Sequence, residues 1–273
     1  MNAARRQNRQ VRNWGAVMLA GALLAATPAA HAENVDAKAQ YVVSLAGNIV
    51  AQLNVDLNNG GADYGVDIEA RVAGLGQLVA SGTASVKVTG ATSSSGYSGQ
   101  SFSLTTRTDQ GTTQVSVAYA GGNVTSFKID PPLPPRYDLV PVERSQLTGG
   151  VNDGISAFIL KSASFDRSLC NRRLHVFTGF ERFDLDLRFA AEETATSTRT
   201  GYQGPVVLCQ IDYTPISGHY ETSEITAYLA DSDRILIWYA PLGDSGTAIP
   251  YRVLIGTAMG DLSVVLTSLT VTQ

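Results

Sequence analysis

The feature that most constrains this chain is a period of two. Tyr64-Gly65-Val66-Asp67-Ile68-Glu69-Ala70-Arg71-Val72 alternates side by side, as do Tyr41–Leu45 and Ile49–Leu57 before it. Alternation at this period puts every second side chain on one face of an extended strand, so each segment needs a core on one side and tolerates water on the other. Further strand-like segments are read at 77–90, 100–107, 112–120 and 123–129, then at 172–178, 180–189, 205–214, 219–229, 234–240, 249–258 and 260–271. Asn58-Asn59-Gly60-Gly61, Ser93-Ser94-Ser95-Gly96, Asp109-Gln110-Gly111 and Gly121-Gly122-Asn123 separate them as turns. Short strands at regular spacing predict an antiparallel meander, an all-β fold.

Two segments interrupt the meander. Pro131, Pro132, Pro134, Pro135 and Pro141 are half of the 10 prolines, packed into residues 131–141. They cannot donate ladder hydrogen bonds and predict a connector between two sheet halves. After it, Asn152 or Asp153 is a candidate helix cap, and Ile155, Phe158, Ile159 and Ala163 fall on one helical face. This predicts one short helix, of a kind that plugs the open end or concave side of a sheet.

Residues 1–32 read as a secretory leader. Arg5, Arg6, Arg9 and Arg12 form an acid-free basic head, Trp14–Ala26 is apolar, and Ala30-His31-Ala32 gives a small-x-small cleavage pattern before Glu33. A single all-β domain is expected over 33–273. Removing four of the 20 basic residues leaves 16 against 24 acidic ones, a net charge of −8. Such a surface repels phosphate backbones and anionic membranes, so no nucleic-acid partner is expected. No apolar run reaches the ~20 residues of a membrane helix. Cys170 and Cys209 are the only cysteines, and in an exported chain their simplest fate is one intrachain disulfide. Two free thiols or an intermolecular bridge are the alternatives.

Candidate chemistry is sparse. Gly243-Asp244-Ser245-Gly246 resembles a serine-protease nucleophile loop. It lacks the histidine context that such a serine needs, and it is equally good turn chemistry. Asp184 and Asp186 share a strand face, roughly 6.5–7 Å apart. Arg182 and Arg188 flank them there, which predicts a ladder of neutralised charges rather than an acid/base pair. Arg172, Arg173 and Arg182 belong to the densest basic cluster and are candidate anion contacts; 172 and 173 face opposite sides of their strand. Trp238 lies in the almost continuous apolar run Ile235–Tyr239, which is either central and covered on both faces or lines an apolar cavity. His175 and His219 form no metal-ligand spacing, and no cofactor is expected.

Several of these residues also carry a resemblance. Asp153-Gly154-Ile155-Ser156-Ala157, Cys170 before Arg172-Arg173-Leu174-His175-Val176-Phe177, Arg182-Phe183-Asp184-Leu185, Cys209-x-Ile211-x-Tyr213, Ile237-Trp238 and Pro250-x-Arg252 are similar to the domain-of-unknown-function family 3108. The resemblance runs over about residues 40–270. It implies an exported protein of a Gram-negative bacterium without established activity. It also implies a strongly curved, antiparallel open barrel like the lipoprotein carriers of the periplasm. The expectation is a non-enzymatic, monomeric periplasmic protein that binds a lipid, an acyl chain or a lipoprotein segment on a concave apolar face. A filled-core interaction module and, less favoured, a hydrolase are the alternatives.

Overall fold

In the computed structural model, which describes residues 34–78 and 81–272, the alternating segments pair as a continuous antiparallel path. The strands are β1 (Val35–Leu45), β2 (Asn48–Asn59), β3 (Asp63–Val72), β4 (Gly82–Ser93), β5 (Gly96–Thr108), β6 (Gly111–Ala120) and β7 (Asn123–Asp130). The second half supplies β8 (Val151–Asn152), β9 (Leu160–Lys161), β10 (Arg172–Phe177), β11 (Arg182–Ala195), β12 (Gly204–Ser217), β13 (Ile235–Pro241), β14 (Thr247–Ile255) and β15 (Leu262–Thr272). The order is β7-β6-β5-β4-β3-β2-β1-β15-β14-β13-β12-β11-β10-β8, with β9 pairing β14 from the side. The sheet curls into a nearly closed barrel. The expected leader, 1–32, lies outside the described residues.

Register explains why the sheet curls around one greasy face. Directly opposed residues share a face, and Leu269, Ala39, Val55, Ile68, Val86, Leu104, Val115 and Ile129 oppose one another in turn from β15 through β7. A second row, Cys209-Ile237-Val253-Val264-Val43-Ala51-Val72, runs from β12 to β3. These rows bury only if the sheet closes upon them. Closure needs no full ladder between the end strands. Gly150 and Val151 both donate backbone N–H bonds to the Gly122 carbonyl at 2.9 Å. The Asn152 amide bridges the Tyr97 carbonyl and the Gly99 N–H, both at 2.8 Å. Tyr119 donates to the Phe177 carbonyl at 2.7 Å. The β10–β11 turn slides beneath β6. A Cβ on Gly179, whose φ is +89°, would come within 2.3 Å of Val115, so only glycine fits there.

The helical expectation over 153–163 is corrected. That segment holds one 3₁₀ turn, Ser156–Phe158, and then extends into β9. The Asp153 side chain accepts from the N–H groups of Ile155 and Ser156, both at 2.8 Å. This competes with helical pairing, and pairing with β14 draws the rest out straight. The segment does cross the concave side as a strap. The α-helix, α1 (Glu224–Ala230), overlaps the end of a stretch that alternation reads as a strand, 219–229. Ser223 caps it by accepting from Thr226 N–H at 3.1 Å. Only one side of this short helix meets the sheet, through Leu229.

The proline-rich segment is exposed but fastened. Leu139 bridges Tyr220, and Arg136 holds the buried Asp138 through two bonds of 3.0 and 2.9 Å. Thr222 donates to the same carboxylate at 2.5 Å. The Arg136 and Thr222 hydrogen bonds pull the Asp138 carboxyl down to about 2. A depressed carboxyl contributes stability that is present above the ordinary aspartate range and lost as pH falls through its folded value. Amide exchange across 137–140 should therefore stay protected to about pH 3 and rise sharply as pH falls toward 2. Asp138→Asn should expose the Arg136–Tyr137 bond to trypsin at neutral pH. Unchanged cleavage would show that this latch holds nothing.

Candidate functional site

The concave face is not filled throughout. An apolar cavity of about 350 Å³ lies between the inner faces of β1–β3, β14 and β15 and the strap. β1 contributes Ala37, Ala39 and Tyr41; β2 contributes Leu53, Val55 and Leu57; β3 contributes Val66 and Ile68. Ile249, Pro250, Val253 and Val264 form the far wall, and Gly154, Ile155, Phe158 and Ile159 of the strap roof it. The void has a sequence cause. Ala37 and Ala39 follow each other on the inward side of β1 where neighbouring strands carry Leu and Val, so volume is missing under the strap. The volume is within the range of ligand pockets.

The lining presents almost no polar group. The one hydroxyl, on Tyr41, is turned away into a 2.9 Å bond to the Pro250 carbonyl, and burial raises its pKa well above the ordinary tyrosine value. The cavity also has a direction. Val35, Ala37, Leu57 and Val66 are buried, whereas Val43, Ala51, Leu53, Val253 and Val264, nearer the β1–β2 and β14–β15 turns, are only half-buried. Inward side chains therefore meet solvent toward that rim, where the cavity opens.

A buried polar chain holds the strap in place. Tyr64 hydrogen-bonds Ser156, and Ser156 donates to Asp153 Oδ2 at 2.5 Å. Burial raises the pKa values of both Asp153 and Tyr64, so Tyr64 keeps its proton and serves as a donor. Gly99 makes room for this: a Cβ there would lie 2.2 Å from Asp153 Oδ2. Nearby, Asn59 donates to the Tyr97 hydroxyl at 3.1 Å, and Tyr97 and Thr247 share a 3.0 Å bond.

The residues singled out from sequence fall in different places. Cys170 and Cys209 form the disulfide, buried, with Cα atoms 5.3 Å apart. It pins the 3₁₀ turn Arg167–Cys170 to β12. Arg173 is on the outer face in a bidentate pair with Asp186 at 2.6 and 2.7 Å. Arg182 is buried and fully engaged, donating to Asp184 at 2.5 Å, the Gln146 carbonyl at 2.9 Å and the Phe183 carbonyl at 2.6 Å. It therefore cannot serve as the anion contact expected of it. Burial pushes Asp184 up, but hydrogen bonds from His175 and Arg182 outweigh this and leave its pKa below the usual value. With Arg188 paired to Asp212, the charged face of β11 is a ladder of ion pairs.

Trp238 is also displaced from the expected role. It lies opposite Leu208 and Arg252, on the face away from Ile237. Its indole donates to Glu193 at 3.0 Å, and the Arg252 guanidinium lies 5.1 Å from the ring centre. β13 is packed on its inner side around Ile237, Tyr239 and the disulfide, so the cavity lies elsewhere, along β1–β3. Ser245 donates to the Leu242 carbonyl at 2.7 Å, as a turn residue does. Arg172 stays half-buried without an ion-pair partner among the described residues. Sequence reasoning missed the cavity wall of β1–β3, for which the paired alanines were the available signal, and the Tyr64–Ser156–Asp153 chain, of which it offered only Asp153 as a cap candidate and the motif Asp153–Ala157.

Among the described residues no helix is long and apolar enough to cross a membrane. No curated protein matches the sequence. The fold is similar to the crystal structure of a beta-barrel-like protein of domain of unknown function DUF1849 from Brucella abortus, at a TM-score of 0.48 and 10% identity. That similarity covers 88% of this chain and 98% of the other. The family model described as "Protein of unknown function (DUF3108)" matches residues 39–267. Since that span takes in the whole strand path from within β1 to within β15, the chain belongs to the DUF3108 family.

Proposed function

We propose that this protein is a non-enzymatic, exported binder of the cell envelope that holds a lipid acyl chain in the barrel cavity. The observation that carries this reading is the apolar cavity beneath the strap, open at one rim and lined by aliphatic side chains. Burying methylene groups in such a site contributes about 0.8 kcal/mol each before the entropy of association is subtracted. Export is supported by the intrachain disulfide, which persists outside reducing compartments, and by the leader-like sequence of residues 1–32. The periplasm is the matching compartment.

A fluorescent sixteen-carbon fatty acid titrated into the protein, with its leader removed, should bind saturably. Leu53→Trp and Val253→Phe fill the half-buried mouth with little demand on the packed core. Each should weaken binding by roughly tenfold or more while the melting temperature stays level. Absence of saturable binding by the unaltered protein, or undiminished binding by both variants, would remove the acyl-chain reading.

A further inference from the structure

The seam where the two ends of the sheet meet holds a second, chemically opposite pocket of about 120 Å³. One wall is β10, next to last in the strand order, with Lys161 beside it; the other is the β4–β5 turn through Ser95, Gly96 and Tyr97. Its basic lining residues are Lys161, Arg172, Arg173 and His175, and no acid lines it. Arg173 and His175 are already paired, to Asp186 and Asp184. Lys161 and Arg172 have no carboxylate within ion-pair distance among the described residues. The Arg172 guanidinium reaches only the Lys161 carbonyl, at 3.5 Å, and its Nε is buried without a partner. Burial lowers the Arg172 pKa, with no carboxylate to oppose it. A half-buried guanidinium without a counter-ion destabilises the fold that carries it, and its forked donors match the oxygens of a phosphate group.

We propose that this pocket is an oxyanion site that takes a phosphate-type group, with Arg172 as its charged anchor and Lys161 as the second cation. The site stands whether or not the barrel cavity takes an acyl chain. The phosphate can come free in solution or as a lipid headgroup. Ile159 lines both pockets, so a phospholipid with its headgroup at the seam would lie beside the cavity.

The test is calorimetric titration of the leader-free protein with inorganic phosphate and, separately, with dihexanoyl phosphatidic acid below its micellar concentration, at constant ionic strength. Saturable binding of phosphate identifies a free oxyanion as sufficient; binding of the phosphatidic acid alone assigns the headgroup of a lipid. In either case Arg172→Met should weaken binding by roughly tenfold or more, Lys161→Gln by about threefold, and the remote Arg199→Gln not at all. A thermal readout separates binding from a structural role. Without anion, Arg172→Met should melt no lower than the unaltered protein, because it removes an uncompensated charge. With phosphate or the phosphatidic acid added, the unaltered protein should gain melting temperature and the variant should not. No saturable binding of either probe, equal binding by Arg172→Met, or a large fall in its anion-free melting temperature would overturn the assignment. The acyl-chain titration described above is read independently of each of these outcomes.

Discussion

Asp153→Ala should destabilise the fold by about 4 kcal/mol, the largest effect expected of any single side chain here. Three donors converge on this buried carboxyl: the N–H groups of Ile155 and Ser156 and the Ser156 hydroxyl. Truncation strands all three in a site from which water is excluded, at about 1–3 kcal/mol for each buried group left unpaired. It also takes away the acceptor of the Ser156 hydroxyl, leaving the strap tied to β3 at this point by the Tyr64–Ser156 bond alone. Asp153→Asn is the informative partner. Its carbonyl can accept the two N–H bonds and its amide can donate to Ser156, so the loss should be nearer 1 kcal/mol. The two variants also differ from the parent in pH dependence. Burial raises the Asp153 pKa, so its contribution is fully present below the ordinary aspartate range, about 4, and declines as pH rises through the folded value. Both variants should lose that decline. Urea denaturation at several pH values measures all of this. A loss for Asp153→Asn as large as that for Asp153→Ala would show that an amide does not restore the hydrogen-bonded chain, and a loss below about 1 kcal/mol for Asp153→Ala would show that the chain contributes little at this position.

Opening the Cys170–Cys209 bridge should lower stability by about 4 kcal/mol. The bond closes a loop with a sequence separation of 39, and the chain-entropy model assigns a loop of that size about 4 kcal/mol. Both sulfurs are enclosed by Val207, Leu187, Ile237 and Tyr239 in the second-half core, so reductant reaches them only once the region opens. Urea curves of the oxidised protein and of Cys170→Ala/Cys209→Ala, each extrapolated with its own slope, should differ in stability by that amount, the slope rising somewhat in the variant because its denatured chain is less constrained. A difference below about 1 kcal/mol would mean that the 3₁₀ turn and β12 are held together by packing alone.

What the sequence made legible follows from how strongly each segment advertises its faces. β3 is plain because Val66, Ile68 and Ala70 alternate with Asp67, Glu69 and Arg71. The start of β1 is not: Val35-Asp36-Ala37-Lys38-Ala39 alternates, but alanines carry little hydrophobic signal. Those same alanines open the cavity, so the site was hidden by the cause of its existence. The strap reads as a helix because Ile155, Phe158 and Ile159 have helical spacing. Its real conformation is fixed by Asp153 and by pairing with β14, contacts that no local pattern reports. α1 was misread in the reverse sense, since Ile225, Ala227 and Leu229 alternate while the Ser223 cap decides for helix. Arg172, Arg173 and Arg182 were visible as a basic cluster. Which of them already had acids depended on the β10–β11 register, which sets Arg173 opposite Asp186, and on the burial of Arg182 beside Asp184.

The strand order also sets when this protein can be finished. β1 is among the first strands to be synthesised, yet it lies in mid-sheet and pairs along its whole length with β15, the last, from Asp36 opposite Thr272 to Leu45 opposite Leu262. The meander β1–β7 can zip up strand by strand as it emerges, but one side of β1 stays a bare, greasy edge until residues 262–272 have been made. Such an edge invites pairing with other chains, and closing it across that length of chain is slow. Of all the contacts in the barrel, the β1–β15 ladder is the one for which a holding chaperone would matter most.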